Sequence, residues 1–244
     1  MQRTLARRSL LKTLCSAVGA AALLPVGAAQ SPEDERLHSD WPYLARYRDQ
    51  NLQLKTSGMR IDAVFMGDSI TEGWLQKAPA FFIPGRICRG IGGQTTPQML
   101  LRFRQDVIDL QPRVVHIMAG TNDIAGNTGP STLKMTQDNF LCMSEIAMAN
   151  KVHLIFASIP PASDYPWRPG LDTVTPIAAL NTWMMAQAQR LQATYADYFA
   201  VMADGKGGML DGLSSDHVHP TEAGYATMRP VAEAALARAL RARN

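Results

Sequence analysis

Cysteine is scarce in this chain: Cys15, Cys88 and Cys142 are the only three in 244 residues. No cysteine–histidine cluster has zinc-ligand spacing, so the sequence offers no zinc site. A basic excess is also lacking, although the formal net charge is +3. Residues 1–29 carry Arg3, Arg7, Arg8 and Lys12 and no acid; without them 20 basic residues face 21 acidic ones. That near-neutral balance removes the field a nucleic-acid-binding protein needs. Also missing are a Gly-Lys-Ser/Thr phosphate loop, an internal repeat, a low-complexity tract and a second domain.

What is present suits one α/β domain. Hydrophobic residues make up 46% and charged residues 18%, ordinary values for a globular protein. Residues 1–29 read as an export signal that is removed. Arg7-Arg8-Ser9-Leu10-Leu11-Lys12 has a twin-arginine look, a mostly small or apolar run follows, and Gly27-Ala28-Ala29 offers a cleavage site after Ala28 or Ala29. The competing reading, an uncleaved anchor, meets a run too short and too rich in Ala and Gly. The mature chain then has no membrane span and works in the periplasm or outside the cell. Cys15 lacks the preceding small residues of a lipoprotein signal. Cys88 and Cys142 can pair in an oxidising compartment, but their apolar neighbours favour two separate buried thiols.

Residues 30–59 read as a largely helical lead-in packed on a domain spanning 60–244. Within that domain, strands are expected at Ile61–Met66, Arg86–Ile91, Val114–Ala119, Val152–Ile159 and Tyr198–Ala203. Helices are expected near Ser69 and over Thr95–Leu110, Ser131–Asn150, Thr175–Ala193 and Thr221–Arg241, the last kinked or delayed by Pro230. Strand–helix alternation argues a parallel sheet covered on both faces, with ligands bound beyond the carboxyl ends of the strands.

Three short blocks follow strands or occupy a late loop. In Gly67-Asp68-Ser69-Ile70-Thr71, Ser69 stands at a helix start, where amide hydrogens point outward; as a lone triplet it reads better as a helix cap. In Asp216-His217-Val218-His219-Pro220, His219 is a candidate base and Asp216 its orienting acid, with His217 and Asp211 as competitors. In Gly120-Thr121-Asn122-Asp123, Asn122 can donate to an oxyanion or simply make a turn. Gly93, in Gly90-Ile91-Gly92-Gly93-Gln94-Thr95, offers a bare backbone amide. Asp68, Trp167 and Arg168 are candidate substrate contacts. The same Trp167 can instead cover the sheet rim.

With Gly90–Thr96 as a fourth block, these segments resemble, in order and separation over residues 60–235, the SGNH (GDSL-type) hydrolases. Gly224-Tyr225 follows the last block as in many relatives. The resemblance implies a three-layer α/β/α sandwich with a flavodoxin-like five-stranded parallel sheet. It also implies hydrolysis of carboxylic esters by Ser69, His219 and Asp216. The oxyanion hole would be the Ser69 and Gly93 amides and the Asn122 side chain, and no metal or cofactor is called for. The implied partner is a small-molecule or glycan ester. Narrower readings are a carbohydrate O-acetylesterase or a lysophospholipase-like acylhydrolase, although no hydrophobic insertion resembles a lipase lid. A non-catalytic glycan-binding module is the reading from another class. Two positions depart from the pattern: relatives often have Asn at Cys88 and Gly at His217.

Overall fold

The computed structural model describes Glu35 and residues 38–242; the export-signal segment and Cys15 lie outside them. A 3-10 turn at Leu44–Tyr47 leads into α1 (Arg48–Thr56). Then follow β1 (Ala63–Gly67), α2 (Ser69–Lys77), β2 (Arg86–Gly90), α3 (Thr96–Asp106), β3 (Val114–Met118), α4 (Thr121–Ala125), α5 (Leu133–Ala149), β4 (His153–Ala157), α6 (Val174–Arg190), β5 (Thr194–Ala196), α7 (Tyr198–Met202) and α8 (Glu222–Arg241).

The five strands form one parallel sheet in the order β2-β1-β3-β4-β5. β1 and β3 are buried at every position, which is why their sequences read as continuous apolar runs rather than alternating ones. Helices cover both faces. α2 and α8 pack together and against the sheet, with α7 on α8; α3, α5 and α6 pack in sequence on the other side, with α1 against α3. The result is the expected three-layer α/β/α architecture. The strand order reverses between β1 and β3, so the crevice at their carboxyl ends is the switch point where such sheets bind ligands.

Three expectations change. Tyr198–Ala203 is not the fifth strand: β5 lies upstream at Thr194–Ala196, and Tyr198–Met202 is a helix. The Asp197 side chain accepts the Ala200 N–H at 3.0 Å and so caps that helix. Tyr198 and Met202, four residues apart, share its buried face. Pro230 does not delay the last helix, which runs unbroken from Glu222 to Arg241. Pro230 and Ala226 are both exposed, so water can satisfy the carbonyl that a proline nitrogen leaves unbonded.

Finally, the two cysteines among the described residues are unpaired, and while Cys88 is buried, Cys142 is exposed. Its neighbour Met143 takes the inward place on α5, because adjacent helix positions face different directions.

Candidate active site

The site begins where β1 ends. Asp68 caps α2, its Oδ1 accepting the Ile70 N–H at 2.9 Å, and Ser69 is the first residue of that helix. Glycines make room for this turn. A Cβ on Gly67 would stand 2.7 Å from the Met118 carbonyl oxygen, and one on Gly90 would stand 2.2 Å from the Glu72 backbone nitrogen. The first turn of α2 therefore rests directly on the ends of β1 and β2.

Residues 214–220 bring the second half of the site to Ser69. Ser69 Oγ lies 2.8 Å from His219 Nε2, and His219 Nδ1 lies 2.7 Å from Asp216 Oδ2. Asp216 Oδ1 accepts the backbone N–H groups of His219 at 2.7 Å and Val218 at 3.1 Å. Burial acts to raise the Asp216 pKa, but these bonds prevail and hold its carboxyl below the usual range. Ser214 and Pro220 close the loop as an isolated bridge, and Thr221 Oγ1 caps α8 by accepting the Gly224 N–H at 3.2 Å. The two halves are tied by the buried Tyr225, whose hydroxyl donates to the Ile70 carbonyl at 2.8 Å.

The rival candidates stay apart from this chain of contacts. His217 is exposed, with Nδ1 3.9 Å from Asp164 Oδ1, and Asp211 is exposed as well. His217 adopts φ 70°, a left-handed conformation that glycine takes without cost; the departure from the resembling pattern falls at that point.

The two candidate oxyanion donors sit on segments that meet at Gln94. Gly93 has φ 75°, and its N–H forms no hydrogen bond among the described residues. The Asn122 side chain is 3% exposed and donates one of its two Nδ2 hydrogens to the Gln94 carbonyl at 3.0 Å. Beneath them runs a buried polar network. Arg102 donates to the Gly67 carbonyl at 3.1 Å and to Gln94 Oε1 at 2.6 Å, and pairs with Asp106 at 3.1 Å. Glu72 Oε2 accepts the Gly92 N–H at 2.8 Å, joining the glycine segment to the helix of Ser69. Asp123 accepts the Thr96 N–H.

The candidate substrate contacts divide. Asp68 is 1% exposed. Burial raises its pKa from 3.8 to about 6, against the pull of the Ile70 N–H and His219. Its carboxylate shapes the turn by capping α2. Trp167 is 39% exposed and its ring centroid lies 6.2 Å from that of His219. It stacks on Tyr165 at 5.0 Å, whose buried hydroxyl has no partner among the described residues. Arg168 is exposed on the same segment and is not part of the serine–histidine contact.

Sequence reasoning missed Glu72, Arg102, Asn127 and Tyr225. Only Tyr225 carried a signal, in the Gly224-Tyr225 pair; the others act through contacts distant in the chain. Among the described residues, no group of three or more His, Cys, Asp or Glu side chains could hold a metal ion, and no helix is long and apolar enough to cross a membrane.

Residues 65–227 match the GDSL-like lipase/acylhydrolase family. An acylhydrolase so assigned from Bacteroides fragilis NCTC 9343 has a similar structure, with a TM-score of 0.78 and 41% identity over 83% of this chain and 99% of that one. A GDSL-like lipase from Bacteroides thetaiotaomicron VPI-5482 gives a TM-score of 0.76 and 38% identity over 82% of this chain and all of that one. Over a short segment of 36 residues the chain is 58% identical to the uncharacterized lipoprotein YqeF of Bacillus subtilis (strain 168), a match that spans only 15% of either protein.

Proposed function

Because the chain belongs to the GDSL-like lipase/acylhydrolase family, we propose that it is an exported serine esterase cleaving carboxylic esters through an acyl-enzyme. The observation that carries this reading is the continuous line from Ser69 Oγ through His219 to Asp216, with contacts of 2.8 and 2.7 Å.

In the first step Ser69 Oγ bonds to the ester carbonyl carbon while His219 Nε2 takes the hydroxyl proton. Asp216 holds the imidazole in the required tautomer and stabilises the imidazolium that forms. The Ser69 and Gly93 backbone amides and the free Nδ2 hydrogen of Asn122 receive the oxyanion, each worth about 10²–10³ in rate. The carbon–oxygen bond to the alcohol then breaks, and His219 returns the proton to the departing oxygen. Water then attacks the acyl carbon while His219 takes its proton, the carbon–oxygen bond to Ser69 Oγ breaks as His219 returns that proton to the serine oxygen, and the carboxylic acid leaves. No step calls on a metal or organic cofactor.

Residues 1–29 would direct export and be removed, leaving residues 30–59 as a lead-in on the hydrolase domain 60–244. The lipoprotein name of the partial relative is consistent with export. A carbohydrate O-acetylesterase is the narrower reading. The exposed Trp167 favours it, because an indole beside the reacting histidine gives a sugar ring a face to stack on.

Hydrolysis of aryl esters of increasing acyl length, and of acetylated glycans, tests both levels. Turnover of acetyl esters that falls steeply with acyl length supports deacetylation, and preference for long chains supports a lipase-like role. No turnover of any ester by folded protein contradicts the proposal.

A further inference from the structure

A line of hydrogen bonds crosses from the exposed rim to Asn122, and its direction is fixed at both ends. The Trp167 indole nitrogen can only donate, so the atom it meets at 3.1 Å is Asn127 Oδ1. Asn127 therefore turns its Nδ2 toward Asn122 and donates to Oδ1 at 2.8 Å. At the far end the Gln94 carbonyl can only accept, so Asn122 presents Nδ2 to it at 3.0 Å. Neither amide can turn over without setting donor against donor or acceptor against acceptor. The Asn127 backbone N–H also reaches the Asn122 carbonyl at 3.0 Å. Beside it Thr128 Oγ1 meets Thr95 Oγ1 at 2.8 Å, which fastens the same turn to the segment that carries Gly93.

The hand of the Asn122 amide matters to chemistry. In the observed orientation one Nδ2 hydrogen is spent on Gln94 and the second is left to bond an oxyanion. Turned over, the side chain would offer a carbonyl oxygen, which repels negative charge.

We propose that Asn127 is a positioning residue that sets the hand of Asn122, and that Trp167 holds Asn127 in that role. The rim aromatic and the oxyanion donor are thereby one mechanical unit, so a group resting on Trp167 bears on the orientation of Asn122. This rests on the reading of Asn122 as an oxyanion donor.

Asn127→Asp tests it. The aspartate still accepts from Trp167 but sets a carboxylate oxygen against Asn122 Oδ1. With a short-chain aryl ester, kcat is expected to fall about 10²-fold, the loss of one oxyanion donor, while KM stays within about threefold. In an Asn122→Ala background the same change is expected to cost less than about threefold more, because no amide remains to orient. Trp167→Phe keeps the ring, drops the indole N–H, and probes the strut from its exposed end; kcat is expected to fall about tenfold, the weight of one hydrogen bond of ordinary strength.

An Asn127→Asp kcat within about threefold of wild type, or a loss that persists undiminished in the Asn122→Ala background, overturns the proposal. So does a Trp167→Phe enzyme with unchanged kcat. Asn122→Ala alone separates the two levels: if it leaves kcat unchanged, the donor role fails and the positioning role falls with it.

Discussion

Asp216 holds His219 at two points with one carboxylate: Oδ2 meets the ring Nδ1 at 2.7 Å and Oδ1 accepts the backbone N–H at 2.7 Å. The first contact sets the imidazole tautomer and the second sets the loop. Asp216→Asn can keep the loop bond but presents an N–H to Nδ1, forcing the wrong tautomer. It is expected to lower kcat by about 10³–10⁴ while melting close to the wild type. Asp216→Ala is expected to lose both activity and thermal stability. Steady-state kinetics beside thermal melts check this; an Asn variant with near-normal kcat contradicts it.

The close seating of α2 on β2 makes Gly90 intolerant of any side chain. A Cβ there would come within 2.2 Å of the Glu72 backbone nitrogen, and backbone cannot step aside as a flexible side chain can. Gly90→Ala is expected to destabilise the fold by about 3 kcal/mol, the upper end for overpacking, as read by urea denaturation. Gly93→Ala meets no atom within 4 Å but requires φ 75°, so its cost is expected to be smaller, about 1 kcal/mol.

Asp68 gives stability a pH signature. Its folded pKa of about 6 exceeds the ordinary 3.8, so the folded state binds this proton more tightly than the unfolded chain. Stability contributed by this group therefore falls as pH rises from 4 to 6, and the penalty is complete above that window. Asp68→Asn keeps a capping oxygen and removes the penalty. Above pH 6 the variant is expected to be more stable than the wild type by about 3 kcal/mol, with the difference closing toward pH 4. Denaturation curves across that range read the effect; a variant less stable at pH 7 contradicts it.

The two described thiols should respond differently to a maleimide. Cys142 is exposed and Cys88 is buried, and burial also pushes the Cys88 pKa up to about 11, away from the reactive thiolate. Peptide mapping is expected to find native protein modified at Cys142, with Cys88 modified only after denaturation. Equal labelling of both in native protein contradicts the packing described for β2.

Much of this was legible along the chain. β1, β3 and β4 announced themselves as apolar runs because both faces of a parallel sheet are covered. Ser69, Asp216 and His219 stood in blocks whose order carried the resemblance. The misread portions depend on information that short-range pattern lacks. Tyr198-Phe199-Ala200-Val201-Met202 reads as a strand until the Asp197 cap and the common face of Tyr198 and Met202 are seen. Cys142 reads as buried from its neighbours, but one helical step turns it outward. The supports of the site join residues far apart in sequence: Arg102 reaches Gly67, Tyr225 reaches Ile70, and Trp167 reaches Asn127. Such pairings arise only once the sheet has set its helices side by side.

The central claim is that Ser69 is the nucleophile, and covalent trapping tests it most directly. A fluorophosphonate should phosphonylate the serine oxygen with loss of fluoride, and the adduct can be located by peptide mass spectrometry. The expected result is a single adduct on Ser69 that forms in step with loss of esterase activity and is absent from Ser69→Ala and His219→Ala proteins. An enzyme that hydrolyses esters yet is inactivated through another residue, or a Ser69→Ala protein that retains near wild-type turnover, would contradict it.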